Sequence, residues 1–280
     1  MALIPTVCTR TGARMPVLGL GTWLMGEDPR RRAQEVAALK LGLDRGMTLV
    51  DTAEMYADGR AEEVVAEAIR GRRQEVFLVS KVLPYNASKR GTVRAAEKSL
   101  GRLGTDWMDL YLLHWLGSHP LEGTLEAFER LEEQGKIRHF GVSNFDILEM
   151  EAAEGLPAGG KIAVNQVLYN LERRGIERRL LSWCEQKDVV VMAYSPLGQG
   201  SLGQRRTLVR VAERNRATTA QVALAWTLRQ EGVVTIPKAS RSEHVIENAA
   251  AMDLTLTDED LTELDKAYPV PPEDIPLETL

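Results

Sequence analysis

Short apolar segments alternate with longer segments of helical periodicity through most of the chain. Eight apolar runs can be counted, and several consist largely of Val, Ile and Leu with little polar alternation. Strands that are buried on both faces of a parallel sheet have this composition. The runs span residues 17–21, 47–50, 76–80, 108–113, 137–142, 162–166, 189–194 and 233–236.

Residues that favour helix starts lie between these runs. The clearest starts are Asp28 before Pro29, Ser88, and Thr218 with Gln221 three residues later, which is a capping box. Two helices, over residues 204–215 and 219–230, are predicted between the seventh and eighth runs, one more than a βα repeat requires. A helix over residues 243–250 and another that begins after Thr257 follow the eighth run.

The order of these elements predicts an α/β fold, and two architectures are compatible with it. An open doubly wound sheet would carry a G-x-G-x-x-G turn after its first strand, but the first run gives only Gly19-Leu20-Gly21-Thr22. Eight βα units in a chain of 280 residues match a (β/α)8 TIM barrel instead. We predict a single barrel domain over residues 1–280, with an N-terminal β-hairpin over residues 6–15 and two extra helices.

Composition limits the kinds of partner. With a net charge of -5, the chain has no basic excess for nucleic acid. Its two cysteines have no CxxC or Cys/His spacing, so neither a disulfide framework nor a zinc site is predicted. No signal peptide and no membrane span are predicted, because no apolar window is long enough. We expect a cytoplasmic monomer that acts on a small molecule.

All eight predicted strands end in polar or aromatic side chains. The carboxyl ends of barrel strands share one face, so these side chains would converge on one cavity. Chance would leave some strand ends apolar, so the pattern indicates a functional site. The residues at these ends are Thr22, Trp23, Asp51, Lys81, His114, Trp115, Ser143, Asn144, Gln166, Tyr194, Ser195 and Lys238.

Asp51, Tyr56, Lys81 and His114 lie at or near three successive strand ends and could act as one unit. A free tyrosine titrates at a pKa of about 10, and a nearby lysine cation lowers that pKa by favouring the phenolate. We therefore predict that Lys81 lowers the pKa of Tyr56 and that Asp51 keeps Lys81 charged. His114 would hydrogen-bond a substrate oxygen. The set predicts a site that polarises and protonates a carbonyl.

Each of the four also has an ordinary explanation. Asp51 could cap a helix, Tyr56 could be a packing residue, and His114 could be a satisfied core or loop histidine. Lys81 could be a surface lysine or the Schiff-base lysine of an aldolase. Separate explanations do not account for four titratable residues at one edge of three strands, and we favour the joint one.

Seven short motifs occur along the chain: DTAEMY (51–56), Ser80-Lys81, LLHW (112–115), GVSN (141–144), NQV (165–167), YSPL (194–197) and IPK (236–238). This is the order seen in aldo-keto reductases, which the chain resembles from Gly19 to Asn248. The resemblance implies a (β/α)8 barrel that binds NADPH in an extended form. It also implies that Tyr56 is the general acid, that Lys81 and Asp51 tune it, and that His114 orients the carbonyl.

The resemblance implies a set of cofactor contacts as well. Ser143, Asn144 and Gln166 would hydrogen-bond the nicotinamide amide. Tyr194 would stack on the nicotinamide ring, and the loop that begins at Ser195 would cover the pyrophosphate. The predicted cofactor-binding residues are Gly21, Thr22, Trp23, Asp51, Ser143, Asn144, Gln166, Tyr194, Ser195, Pro196, Leu197, Gly198, Ile236, Pro237, Lys238, Ala239, Ser240, Arg241, His244, Glu247 and Asn248.

Lys238 stands where the family binds the 2′-phosphate of NADPH, and Arg241 is well placed to help, since a guanidinium suits phosphate. Two departures bear on the strength of the NADP preference. Ala239 stands where a serine or threonine is common, and His244 stands where many members carry an arginine. Ser240 with the acidic residue three positions later also fits a capping box at a helix start.

A largely apolar, aromatic wall is predicted around the substrate. Its residues are Trp23, Met25, Met55, Leu83, Tyr85 and Trp115. Few charges favour small uncharged carbonyls, and the short segment 116–120 predicts a wide mouth and broad specificity. The chain is similar to bacterial reductases of methylglyoxal and other 2-oxoaldehydes. The alternatives are an NADPH-binding regulatory subunit without significant turnover and a Schiff-base aldolase.

Overall fold

The computed structural model describes residues 4–280, except the side chains of residues 203 and 204. Two short strands precede eight strands that form one parallel sheet. The strands are β1 (Thr6–Cys8), β2 (Arg14–Pro16), β3 (Gly19–Gly21), β4 (Leu49–Asp51), β5 (Phe77–Val82), β6 (Met108–Leu113), β7 (Ile137–Ser143), β8 (Ile162–Leu168), β9 (Val190–Tyr194) and β10 (Val233–Thr235). Each predicted apolar run therefore overlaps a strand.

The sheet closes on itself. Strands β3 to β10 pair in chain order, each parallel to the next. Between the first and last of them, the backbone N–H of Thr235 donates to the carbonyl of Val17 at 2.8 Å, and that of Gly21 donates to Pro237 at 3.1 Å. The predicted (β/α)8 barrel is thus confirmed. Closure brings the end of β3 next to the segment that follows β10.

Strands β1 and β2 form the predicted antiparallel hairpin, which covers the amino end of the barrel. Met15 is fully buried and packs with barrel residues such as Leu49 and Leu110. Arg10, in the hairpin turn, donates from Nε to the carbonyl of Ile162, the first residue of β8, at 2.9 Å. This end is opposite the polar strand ends, so the hairpin leaves them accessible.

Ten α-helices surround the barrel among the described residues. They are α1 (Arg32–Asp44), α2 (Arg60–Ile69), α3 (Lys89–Leu103), α4 (Leu121–Glu133), α5 (Ile147–Glu154), α6 (Leu180–Gln186), α7 (Arg206–Arg214), α8 (Thr219–Leu228), α9 (Ser242–Ala249) and α10 (Asp258–Ala267). Helices α7 and α8 both lie between β9 and β10, and α10 follows α9, which accounts for the two extra helices.

Side-chain caps begin four of the ten helices, namely α3, α5, α8 and α10. Ser88 accepts from the Gly91 N–H before α3, and Thr218 with Gln221 forms the predicted capping box of α8. The predicted capping box of Ser240 is wrong. Helix α9 begins one residue later than that box requires, after Arg241, and has no side-chain cap. The loop is fixed from outside instead, because Gln34 Nε2 donates to the Ser240 carbonyl at 2.8 Å.

No helix within residues 4–280 combines the length and the apolar character needed to cross a bilayer.

Candidate active site

The carboxyl ends of the barrel strands surround a cavity of about 640 Å³. Most of the predicted site residues line it, although they come from seven different strand ends and from helix α9. These residues are Gly21, Thr22, Trp23, Asp51, Met55, Tyr56, His114, Trp115, Ser143, Asn144, Gln166, Tyr194, Ser195, Pro196, Leu197, Ile236, Pro237, Lys238, His244, Glu247 and Asn248. The convergence expected from parallel strand ends is therefore present.

Lys81 lies beneath the cavity floor and is completely buried. Its Nζ donates to Asp51 Oδ2 at 2.8 Å, to the Thr52 carbonyl at 2.8 Å and to the Tyr56 hydroxyl oxygen at 3.2 Å. An ammonium has three N–H groups, so these acceptors use all of its hydrogen-bonding capacity. Burial lowers the pKa of Lys81, but Asp51 and Tyr56 raise it, and the net direction is upward. Lys81 is held as a fixed cation.

Asp51 is fixed from two sides. While Oδ2 accepts from Lys81, Oδ1 accepts from Gln166 Nε2 at 2.8 Å. The carbonyl of Asp51 accepts from the Thr22 hydroxyl at 2.9 Å, which ties β4 to the end of β3. A buried carboxylate needs such partners, because an unpaired charge in the interior is strongly unfavourable. Asp51 therefore orients Lys81 and is not a helix cap.

Tyr56 presents its hydroxyl to the cavity beside Lys81. Burial raises the pKa of Tyr56, the charge of Lys81 lowers it, and the charge of Asp51 raises it, with a net upward direction. Lys81 lowers the Tyr56 pKa as predicted, but burial outweighs it, and a sequence pattern reveals the lysine without the extent of burial. The phenol is protonated at neutral pH. Since its oxygen accepts from Lys81, its own O–H can donate into the cavity.

The backbone directly after Tyr56 has an unusual conformation. Ala57 and Asp58, which follow it, have φ angles of 51° and 54°, in the left-handed region. Asn144 and Ser195, which line the same cavity, have φ angles of 58° and 48°. Non-glycine residues adopt this region at a cost in free energy, and such residues cluster at functional sites.

His114 is almost fully buried and contacts Tyr56 edge to face, with ring centroids 5.8 Å apart. Burial and the charge of Lys81 lower its pKa to about 3, so the imidazole is neutral above that pH. Its Nδ1 is buried without a partner among the described residues. An unpaired N–H is less tolerable there than an unpaired lone pair. We therefore assign the proton to Nε2, which makes that atom a donor toward the cavity.

Asn144 and Tyr194 are hydrogen-bonded to each other next to His114. Asn144 Nδ2 donates to the His114 carbonyl at 3.1 Å and to Ser143 Oγ at 3.2 Å. Tyr194 donates its hydroxyl to Asn144 Oδ1 at 2.9 Å. Burial raises the pKa of Tyr194 to about 12, so this hydroxyl keeps its proton. Tyr194 is thus linked through its hydroxyl to the amide of Asn144.

A second cavity, of about 430 Å³, adjoins the first and shares Lys238 and His244 with it. Three of its lining residues are cations and none is a carboxylate. The lining residues are Arg31, Gln34, Lys238, Ala239, Ser240, Arg241 and His244. Arg241 Nη2 donates to His244 Nε2 at 2.6 Å, which fixes the imidazole at the junction. This cavity is suited to a small anion.

Several predictions of pocket residues need correction. Met25 is fully buried, and Leu24, with a φ angle of 64°, lines the cavity in its place. Leu83 and Tyr85 are not among the lining residues, and Tyr85 is 82% exposed to solvent. Gly198 does not line the cavity either; its neighbours Gln199 and Gly200 do. A turn in the left-handed region shifts the side chains that follow it, and apolar patterning does not reveal such a turn.

The sequence reasoning also missed lining residues. They are Leu24, Gln199, Gly200, Ala220 and Leu280 in the larger cavity and Arg31 and Gln34 in the smaller one. The tail that follows α10 explains Leu280: ion pairs join Glu278 to Arg173 and Asp274 to Arg178, and lead the chain back to the cavity. The only available signal for Arg31 was its position in a basic run next to Pro29.

Known proteins are similar to this chain in sequence and in fold. The profile of the Aldo/keto reductase family matches residues 17–269. Methylglyoxal reductase YeaE of Escherichia coli is 51% identical over 262 residues, 92% of each chain. Glyoxal reductase of Bacillus subtilis is 36% identical, over 94% of this chain and 93% of that protein.

Solved structures agree with these sequence matches. An aldo-keto reductase from Klebsiella pneumoniae in complex with NADPH matches with a TM-score of 0.97 at 50% identity, over 100% of both chains. A second structure from that organism, in complex with NADP and acetate, gives a TM-score of 0.96 at 50% identity, over 99% of this chain and 100% of that one. This chain therefore belongs to the aldo/keto reductase family.

Proposed function

We propose that this protein reduces small aldehydes and ketones to alcohols with NADPH, and that Tyr56 is the proton donor. The observation that carries the proposal is the position of Lys81, whose Nζ lies 2.8 Å from Asp51 and 3.2 Å from the Tyr56 hydroxyl at the floor of an open cavity. A fixed cation beside a phenol eases the loss of its proton. When bound, NADPH supplies the hydride.

The polar groups of the site fit this cofactor. Asn144, Ser143 and Gln166 are grouped where they could hold the nicotinamide amide, and Tyr194 offers a flat face for stacking. The smaller cavity offers cations for the 2′-phosphate, namely Arg241 and Lys238. The loop from Ser195 to Leu197 lines the larger cavity and would cover the pyrophosphate. Support also comes from the Klebsiella pneumoniae relatives, which were crystallised with NADP and NADPH.

Two donors would act on the substrate carbonyl. Nε2 of the neutral His114 would hydrogen-bond the carbonyl oxygen and fix its position. The Tyr56 hydroxyl would then transfer its proton to that oxygen as negative charge develops there. Lys81 would stabilise the resulting phenolate, and Asp51 would keep the lysine in place. The product is an alcohol.

The cavity wall favours small, uncharged substrates. Trp23, Met55 and Trp115 line the part of the cavity near Tyr56 and present mostly apolar surface. We propose methylglyoxal and other 2-oxoaldehydes as substrates, supported by the relatives named methylglyoxal reductase and glyoxal reductase. A wall that recognises little beyond the carbonyl predicts broad specificity.

The direct test follows NADPH oxidation at its absorbance maximum against a panel of aldehydes that includes methylglyoxal, with NADH in parallel. The proposal requires substrate-dependent oxidation of NADPH. Tight binding of NADPH without turnover would favour the regulatory alternative. An aldolase would need a free amine, and all three N–H groups of Lys81 are engaged; covalent trapping by borohydride checks this point.

The pH dependence should differ between the two directions of the reaction. Carbonyl reduction needs protonated Tyr56, whose pKa is raised above 10, and neutral His114, whose pKa is lowered to about 3. We expect kcat/KM for reduction to be flat between about pH 5 and 9 and to fall only above the Tyr56 pKa. Alcohol oxidation needs the phenolate and should rise with pH across this window. Steady-state profiles with a non-ionising substrate measure both; a fall in reduction near neutral pH would contradict the assignment.

The corrected cavity wall gives a matched pair of substitutions. Trp23→Ala removes a lining side chain, and we expect KM for the aldehyde to rise roughly fivefold, since partial burial of an indole contributes on the order of 1 kcal/mol. Tyr85→Ala removes an exposed aromatic outside the cavity and should leave KM unchanged. Kinetics at saturating NADPH measure KM in both variants. An equal rise in KM for both would contradict the assignment of Trp23, and not Tyr85, to the cavity wall.

We propose that the chain acts as a cytoplasmic monomer and forms one domain over residues 1–280. A net charge of -5 argues against nucleic acid as a partner.

A further inference from the structure

We infer that Arg31 is a specificity-determining residue that binds the 2′-phosphate of NADPH. It would do so from the cavity wall opposite the one that carries Lys238. The inference rests on the proposed function, because it presupposes that NADPH binds in this cleft. Arg31 comes from the short 3-10 helix Pro29–Arg31 that leads into α1, far in sequence from the segment after β10. It nevertheless lines the same 430 Å³ cavity as Lys238 and Arg241.

Two contacts, one a hydrogen bond and one apolar packing, join the wall that carries Arg31 to the wall that carries Lys238. Gln34 lies one helical turn after Arg31, on the same side of the helix, and its Nε2 donates to the Ser240 carbonyl at 2.8 Å. Helix α1 also packs against α9, where Ala38 and Val245 share a small apolar cluster. The wall that carries Arg31 is therefore fixed relative to the wall that carries Lys238.

The guanidinium of Arg31 is largely free to bind a ligand. Its nearest carboxylate is Asp28, at 3.9 Å, and its side chain is 71% exposed. Asp28 instead forms hydrogen bonds with the neighbouring Arg30, at 3.0 and 2.9 Å. Arg30 is not among the lining residues of the cavity. Two adjacent arginines thus differ: one is occupied outside the cavity and the other faces into it.

The electrostatic balance of the cavity favours an anion with more than one negative charge. Partial desolvation lowers the pKa of Lys238, Glu35 raises it, and the charge of Arg31 lowers it further. Arg31 and Lys238 therefore repel each other, and a phosphate between them would relieve this repulsion. Such a group carries about -1.5 to -2 charges at neutral pH. His244 adds no second guanidinium here, so Arg31 supplies one from the other wall.

Binding measurements on the free enzyme test the inference without relying on turnover. Tryptophan fluorescence or calorimetry gives Kd for NADPH and NADH, and for 2′,5′-ADP and 5′-ADP as fragments with and without the 2′-phosphate. The variants are Arg31→Ala, Arg31→Lys, the matched control Arg30→Ala, and Lys238→Ala as a reference for the phosphate site. Thermal unfolding checks that each variant is folded.

We expect Arg31→Ala to raise Kd for NADPH and 2′,5′-ADP roughly 3- to 10-fold, the range for one exposed charge pair with phosphate. Kd for NADH and 5′-ADP should stay within about twofold, Arg31→Lys should retain most of the affinity, and Arg30→Ala should behave like wild type. The inference is overturned if Arg31→Ala weakens the binding of NADPH and NADH equally. It is also overturned if Arg30→Ala weakens NADPH binding as much as Arg31→Ala does.

Two further outcomes separate this inference from the proposed function. If Lys238→Ala weakens NADPH binding and Arg31→Ala does not, the proposed function stands and the role of Arg31 is refuted. If the wild-type protein binds 2′,5′-ADP no better than 5′-ADP, neither residue selects the 2′-phosphate. The 2′-phosphate roles of Lys238 and Arg31 are then both refuted.

Discussion

Tyr56→Phe should retain NADPH binding and lose most carbonyl reduction. The substitution removes one oxygen, which is both the proposed proton donor and the atom that accepts from Lys81 Nζ at 3.2 Å. General acid catalysis contributes roughly 10²- to 10⁴-fold to turnover, so kcat with methylglyoxal should fall by about that factor. The ring remains, so its edge-to-face contact with His114 is preserved. Stopped-flow or steady-state kinetics at saturating NADPH measure the loss.

The chain offers a matched control for this substitution. Tyr111 is fully buried, lies outside the cavity, and has a hydroxyl without a hydrogen-bond partner among the described residues. Tyr111→Phe therefore also deletes one buried hydroxyl and should leave kcat unchanged. If Tyr56→Phe kept wild-type turnover, Tyr56 would not be the proton donor. If both variants lost activity equally, the loss would reflect packing.

Lys81→Met should impair both stability and turnover. The lysine is completely buried, and its removal leaves the Asp51 carboxylate in the interior with Gln166 as its remaining side-chain partner. Breaking one half of a buried ion pair is destabilising by about 3–5 kcal/mol. The phenol of Tyr56 would also lose the cation that lowers its pKa, and we expect kcat to fall by about 10²-fold or more. Urea unfolding and steady-state kinetics measure the two effects.

A double variant distinguishes the structural role of Lys81 from its chemical role. Lys81→Met with Asp51→Asn removes the uncompensated charge, while the new amide can still accept from Gln166. We expect the double variant to recover part of the lost free energy of unfolding, since the effects of substitutions at residues in contact are not additive. It should recover no turnover, because no cation remains beside Tyr56. Recovery of both quantities together would mean that Lys81 acts only through stability.

The site shows why strand ends are informative in a barrel. Asp51, Lys81 and His114 are separated by about thirty residues each along the chain, but each lies at the end of a strand next to that of the preceding one. Parallel pairing in chain order places such residues side by side. The predicted convergence of these groups needed no knowledge of loops.

Residues placed by loops were predicted less well. Met25 was expected in the pocket, but the left-handed turn at Leu24 directs it into the core. Tyr85 was expected at the mouth, but the short 3-10 helix Pro84–Asn86 leaves it in solvent. The backbone angles of a turn decide where the next side chain points, and local composition constrains those angles only weakly.

By itself, the sequence determined the eight strands, the barrel they form and the group of Asp51, Tyr56, Lys81 and His114, because apolar periodicity fixes which strands are buried and where each strand ends. Only the tertiary structure decided the direction of the Tyr56 pKa, since desolvation depends on everything packed around the phenol. It also brought Arg31 and Leu280 to the cavities. Those positions result from contacts between segments far apart in the chain, which no local pattern records.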